Sequence, residues 1–165
     1  MKWFIKVVVF VCLILFAFWY SPVKVVYTMD RSLQYKWWLW FGIKDFALGS
    51  YVEFIPSVQN EYTKGKVLVK QVRCVYPQVL HVQGLDYYCD GEFLGRAKLE
   101  DSKKRPIKPF VYSGVVPKDC FFAMGETENS YDSRYFGFVC KEHVRAVLVP
   151  LAKGPDFDKL LLRSR

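Results

Sequence analysis

Lys70 stands in the run Leu68-Val69-Lys70-Gln71-Val72, and on an extended strand Leu68, Lys70 and Val72 share one face. An amine that emerges between two apolar neighbours is drawn out of water, and desolvation favours its uncharged form. An uncharged lysine is a base, able to take the proton of a serine hydroxyl and leave it nucleophilic. A lysine on a solvated strand edge is the plain structural alternative. Further along, Ser130, Asp132 and Arg134 alternate, so in an extended stretch they present a hydroxyl and an ion pair on one side. A surface turn with a weak salt bridge is the alternative there.

With Cys12 set apart in an apolar segment, Cys74, Cys89, Cys120 and Cys140 form an even set without the C-x-x-C spacing of a zinc site. Neither a metal nor a cofactor is expected. Two disulfides in an oxidising compartment fit this set best. Three pairings are open, and Cys74 with Cys89 and Cys120 with Cys140 is favoured, because each closes a local loop between strands expected to be neighbours. Buried free thiols are the alternative.

The elements that must position these residues read as strands. A chain of 165 residues with 52% hydrophobic content holds one core and an appendage, not two full-sized domains. Short alternating or β-branched runs at 51–55, 66–75, 79–83 and 110–116 alternate with turn signals, so the main domain is expected to be mainly β. Asp90-Gly91 between Tyr87-Tyr88 and Phe93-Leu94 marks a hairpin. Residues 121–124 and 135–139 are expected to pair around the polar loop 125–133. Residues 103–109 read as a basic solvated loop, and 157–165 as a short terminal helix.

At the other end residues 7–20 carry no charge; with Trp3, Phe4 and Ile5 around Lys6 they make about 18 residues, roughly 27 Å of helix, just enough to span a bilayer. Lys6 can extend its ammonium to the headgroups, and Trp3, Trp19 and Tyr20 mark the two interface levels. Phe18-Trp19-Tyr20-Ser21 has no small-x-small cleavage pattern, so a retained transmembrane anchor over 1–22 is expected, followed by an extracytoplasmic domain over 23–165. Basic residues on both sides leave orientation open under the positive-inside rule, and the cysteines point to the oxidising side. Trp37, Trp38, Trp40 and Phe41 form either core or an interfacial belt, and contact with lipid is the expectation, because core strands seldom carry so many adjacent aromatics on both faces. Lys and Arg number 24 against 16 Asp and Glu, a net charge of +8 that suits anionic partners. Membrane lipids are the expected partner; the anchor and the paired cysteines argue against nucleic acid.

Gly125-Glu126-Thr127-Glu128-Asn129-Ser130-Tyr131-Asp132-Ser133-Arg134-Tyr135-Phe136-Gly137 resembles the last box of the type I signal peptidase family, Gly-Asp-Asn-x-x-x-Ser-x-Asp-Ser-Arg-x-x-Gly. Val69-Lys70-Gln71-Val72 is similar to the box of its general-base lysine, and residues 48–54 to the strand box before it. Residues 115–122 are similar to the strand leading into the last box. Arg31-Ser32-Leu33-Gln34 lies where that family places its nucleophile and looks more like the conjugative-transfer branch than the housekeeping enzymes with Ser-Met. Gln34 departs from the proline of that branch. Asp30 stands where housekeeping enzymes carry a hydroxyl that helps the oxyanion hole, and an ionised carboxylate donates no hydrogen bond.

The resemblance implies an antiparallel signal-peptidase-like domain of the bacterial inner membrane, its catalytic part periplasmic. It implies a serine endopeptidase with Ser32 as nucleophile and Lys70 as base, Ser130 orienting the amine, and Asp132 and Arg134 bracing the site. The expected substrate is an exported precursor such as a pilin, cleaved by hydrolysis or closed into a ring by aminolysis, with transfer-apparatus proteins as further partners. A general leader peptidase and a non-catalytic assembly protein of the same fold are the rival readings.

Overall fold

A computed structural model describes residues 2–19, 23–30 and 32–153; within the first helix, side chains are described for residues 3–12. The expected terminal helix over 157–165 lies outside the described residues. In chain order the elements are α1 (Lys2–Trp19), β1 (Val23–Tyr27), β2 (Tyr35–Phe41), β3 (Tyr51–Phe54), β4 (Leu68–Val75), β5 (Val79–Gln83) and β6 (Asp86–Cys89). They continue with β7 (Glu92–Arg96), β8 (Ser113–Val115), β9 (Cys120–Met124), α2 (Ser133–Phe136), β10 (Val139–Cys140), a 3-10 turn (Lys141–His143) and β11 (Val144–Lys153). The strands form a seven-stranded sheet, β1-β2-β11-β3-β4-β9-β10, and a four-stranded sheet, β7-β6-β5-β8. Every pairing is antiparallel. The domain is therefore mainly β, as its sequence implies.

Strand β9 explains how two sheets share one body. All five of its residues are buried, and their alternation splits them between two cores. Phe121 and Ala123 pack with Val52, Phe54, Val72 and Phe136, whereas Phe122 and Met124 pack with Leu80, Tyr87 and Val116 near the smaller sheet. A bulge on β4 follows the same division. The register slips between Val72 and Cys74, so Val72 joins the first core and Cys74 the second. At the hairpin, Asp90 and Gly91 both have positive φ, 47° and 84°, which suits a two-residue turn whose twist matches its strands.

The two disulfides join Cys74 to Cys89 and Cys120 to Cys140, the expected pairing. The reason holds for only one of them. Cys120 and Cys140 face each other across neighbouring strands, whereas Cys74 and Cys89 tie the larger sheet to the smaller one. Cys12 is unpaired and exposed.

Three expectations need correction. Ser130 to Arg134 do not form an extended stretch, because the Asp132 carboxylate accepts the backbone N–H of Arg134 and starts the short helix α2. Residues 135 and 136 thus lie in α2 rather than in a strand paired with β9, and on this side β9 pairs with β10 through Val139 and Cys140. Trp37, Trp38, Trp40 and Phe41 are not one lipid belt, since alternation on β2 sends them to opposite faces. Trp38 is fully buried against Leu33, Val69 and Leu148, its indole N–H donating to Thr28, and the Trp40 N–H donates to Glu53. Trp37 stays exposed. Among the described residues no helix is long and apolar enough to cross a membrane.

Candidate active site

The loop from Asp30 to Gln34, between β1 and β2, carries Ser32 onto the end of β4. Lys36 ties the loop's two ends together, its amine donating to the backbone carbonyls of Asp30 and Leu33. Glu126, just beyond β9, holds the loop from the other side. Its backbone N–H donates to the Ser32 carbonyl at 2.7 Å, and its carboxylate accepts the N–H of Gln34 at 2.8 Å and the Tyr51 hydroxyl at 2.6 Å. A proline at position 34 has no N–H to give, so Gln34 and Glu126 are matched. Burial and Glu126 together raise the Tyr51 phenol well above its ordinary pKa, and it stays protonated as a donor.

On β4 Lys70 lies opposite Val52 and is 2% exposed, and Ser32 is 5% exposed. The Lys70 amine donates to the Ser32 hydroxyl oxygen in a short contact, and to Asp30 Oδ2 at 2.8 Å. A buried amine against a serine hydroxyl is the arrangement by which an uncharged lysine takes a proton and creates an alkoxide nucleophile. Asp30 Oδ1 also accepts the backbone N–H of Ser32 at 2.8 Å. Burial pushes the Asp30 pKa up, but the charge and hydrogen bond of Lys70 and the bonds from Ser32 outweigh it, so the carboxyl titrates below its ordinary 3.8.

Behind the loop, Asp132 and Arg134 are buried and paired. Arg134 Nε and Nη2 donate to the two Asp132 oxygens at 2.8 Å each. Burial lowers the Arg134 pKa, yet the hydrogen bond and charge of Asp132 more than offset this and raise it. Asp132 also accepts the N–H of Gly125 at 3.0 Å, and Arg134 reaches the carbonyls of Arg96 and Ser130. The Ser133 hydroxyl accepts the N–H of Ala123 at 2.9 Å. This network fixes Gly125, where there is no room for a side chain: a Cβ would stand 2.2 Å from the Ser130 hydroxyl and 2.9 Å from Ser32 Cβ.

Ser130 thus lies beside Ser32, across Gly125, but it does not hold the amine. Its hydroxyl is buried and has no hydrogen-bond partner among the described residues. A cleft of about 370 Å³ opens next to this point, lined among others by Phe93, Leu94, Ala97, Met124, Gly125 and Glu126. Among the described residues no cluster of His, Cys, Asp and Glu is arranged to hold a metal ion.

A family model described as signal peptidase, peptidase S26, matches residues 1–150, nearly the whole chain. The chain belongs to the signal peptidase S26 family. Within it, the chain is similar to a probable conjugal transfer protein TraF of Sinorhizobium fredii, with 40% identity over 72 residues. That match covers 42% of this chain and 37% of the relative, so the chain spans well under half of the curated relative's length. Among solved structures it resembles a signal peptidase I from Enterococcus faecalis, with 22% identity and a TM-score of 0.43, covering 65% of this chain and 99% of that one.

Against that family's boxes, Ser32, Lys70, Ser130, Asp132 and Arg134 come together around Gly125, whereas the aromatic run after Ser32 disperses. Sequence reasoning missed Glu126 and Lys36 as clamps of the serine loop. The first was signalled by its place next to the glycine of the last box. Lys36 carried no signal, since its role depends on how the loop folds back.

Proposed function

We propose that this chain is a membrane-anchored serine endopeptidase of a conjugative transfer system, which processes an exported precursor such as a pilin. Ser32 attacks the scissile carbonyl while Lys70, in its uncharged form, takes the hydroxyl proton and later hands it to the leaving amine. The acyl-enzyme on Ser32 is then resolved by water, or by an amine of the substrate that closes a ring. Ser130 receives an N–H of the amine in the working state, and Asp132 with Arg134 keeps Gly125 and Ser130 in place. The cleft beside Gly125, with apolar walls from Phe93, Leu94, Ala97 and Met124, takes a substrate side chain next to the scissile bond.

The observation that carries this reading is the contact of the Lys70 amine with the Ser32 hydroxyl, both buried, inside a peptidase family. The conjugative setting rests on the similarity to the TraF relative. The anchor over residues 1–22 and the periplasmic place of 23–165 rest on the apolar α1 and the two disulfides. Lipid contact rests on Val25, Tyr27, Trp37 and Val149, which are exposed on one face of the paired strands β1, β2 and β11. Mass spectrometry of the candidate pilin from cells with wild-type, Ser32→Ala or Lys70→Ala protein tests the proposal. Processing is expected only with wild type, and the product mass separates hydrolysis from ring closure. Processing in both variants rejects the assignment.

Asp30 favours a second reading, a non-catalytic assembly protein that has kept the fold, because a carboxylate occupies both the amine and the serine N–H. Trapping an acyl adduct on Ser32 with a penem excludes it; failure to form any adduct supports it.

A further inference from the structure

Asp30 touches both working parts of the site at once. One carboxylate oxygen holds the Lys70 amine at 2.8 Å, and the other holds the Ser32 backbone N–H at 2.8 Å. Each contact opposes acylation. A paired ammonium is not a base. The N–H of the nucleophile is the donor best placed to face a developing oxyanion, and here an anionic oxygen already fills its place. The backbone under Asp30 is pinned through its carbonyl by Lys36, so what can move is the side chain. That side chain is 29% exposed and can turn into water.

We propose that Asp30 is a positioning residue that latches the site shut in the free protein, and that the substrate opens it by placing its scissile carbonyl oxygen where the carboxylate now sits. This rests on the Ser32 and Lys70 assignment of the preceding section. On opening, the Ser32 N–H passes from the carboxylate to the substrate oxygen. The Lys70 ammonium transfers its extra proton to the Asp30 carboxylate, which carries it to solvent as the neutral acid and ionises there. The freed amine turns one N–H to the Ser130 hydroxyl, the buried group now lacking a partner, and accepts the Ser32 hydroxyl proton. The latch spares the cell an open nucleophile, and selects substrates that bind firmly enough to displace a carboxylate.

The test is the acylation of Ser32 by a penem, followed by intact-protein mass spectrometry in full-length wild type, Asp30→Asn, Asp30→Ala and Ser32→Ala. Asn removes the negative charge that faces the amine but can still cap the N–H; Ala removes both the charge and the cap. Asn is therefore expected to acylate about tenfold faster than wild type at neutral pH and Ala faster still. The rising limb of the rate against pH should lie lower in both. Lys36, Tyr51, Glu126 and Asp132 surround the site and are unchanged in each variant. Rates equal to or below wild type in both variants overturn the latch while leaving the dyad intact. No adduct in any protein, or an equal adduct in Ser32→Ala, overturns the dyad and the latch together. The wild-type chain supplies a check that needs no variant. With a peptide aldehyde bound, the Asp30 carboxyl carbon resonance should move to that of a hydrated aspartate, and an unmoved resonance in the bound protein overturns the proposal.

Discussion

Arg134 donates to both carboxylate oxygens of Asp132, at 2.8 Å each, in a pair whose side chains are 3% and 0% exposed. Removing one partner leaves the other charged and buried. Asp132→Ala or Arg134→Ala should each cost about 3–5 kcal/mol. Urea unfolding measures this as a lower midpoint, and a loss below about 1 kcal/mol would mean that the pair does not brace the site.

Gly125 is the point at which the brace reaches the nucleophile. A methyl group there would overlap Ser130 and press on Ser32. Gly125→Ala should cost about 1–3 kcal/mol of stability and slow penem acylation of Ser32 at least tenfold. Wild-type kinetics in a folded Gly125→Ala protein would show that the two serines need not be so close.

The Asp30–Lys70 pair gives stability a defined pH dependence. The folded-state pKa of Asp30 lies below the ordinary 3.8, so its contribution is complete above that value and fades as pH falls through the lower folded one. Wild type should therefore exceed Asp30→Asn in melting temperature by a constant margin near neutrality, and the margin should shrink below about pH 4. A margin that grows on acidification would have the wrong sign. Faster acylation with lower stability in this variant is the trade expected of a strained functional site.

The disulfides close loops of 15 and 20 residues by sequence separation, each worth about 3 kcal/mol. Cys74→Ser with Cys89→Ser should loosen the smaller sheet from the larger, seen as faster amide exchange over β5 to β8. Unchanged exchange would mean that the shared core around Phe122 holds the sheets alone.

Local patterns made part of this architecture legible. Strand β5 matches its expected bounds because alternation and flanking turns coincide, and Asp90-Gly91 dictates its hairpin. Strand β2 was hidden by its composition: four aromatics within five residues look like a lipid belt, and only the pairing of β2 with β1 and β11 shows that Trp38 belongs to the core. The Ser130 to Arg134 stretch is ambiguous in sequence, because a capping aspartate and an alternating strand look alike until the backbone turns. Lys70 was recognisable from its apolar neighbours, but Ser32 only from family resemblance, since a polar loop serine has no local signature. The Asp30 contact with a lysine 40 residues away depends on tertiary folding and was not legible at all.

The account depends on proton transfer between Ser32 and Lys70, and the rate of penem adduct formation on Ser32 in wild type against Lys70→Ala tests it most directly. An adduct on Ser32 in wild type, slowed at least a hundredfold in a folded Lys70→Ala protein, is the predicted result. An adduct forming equally fast in both would contradict it.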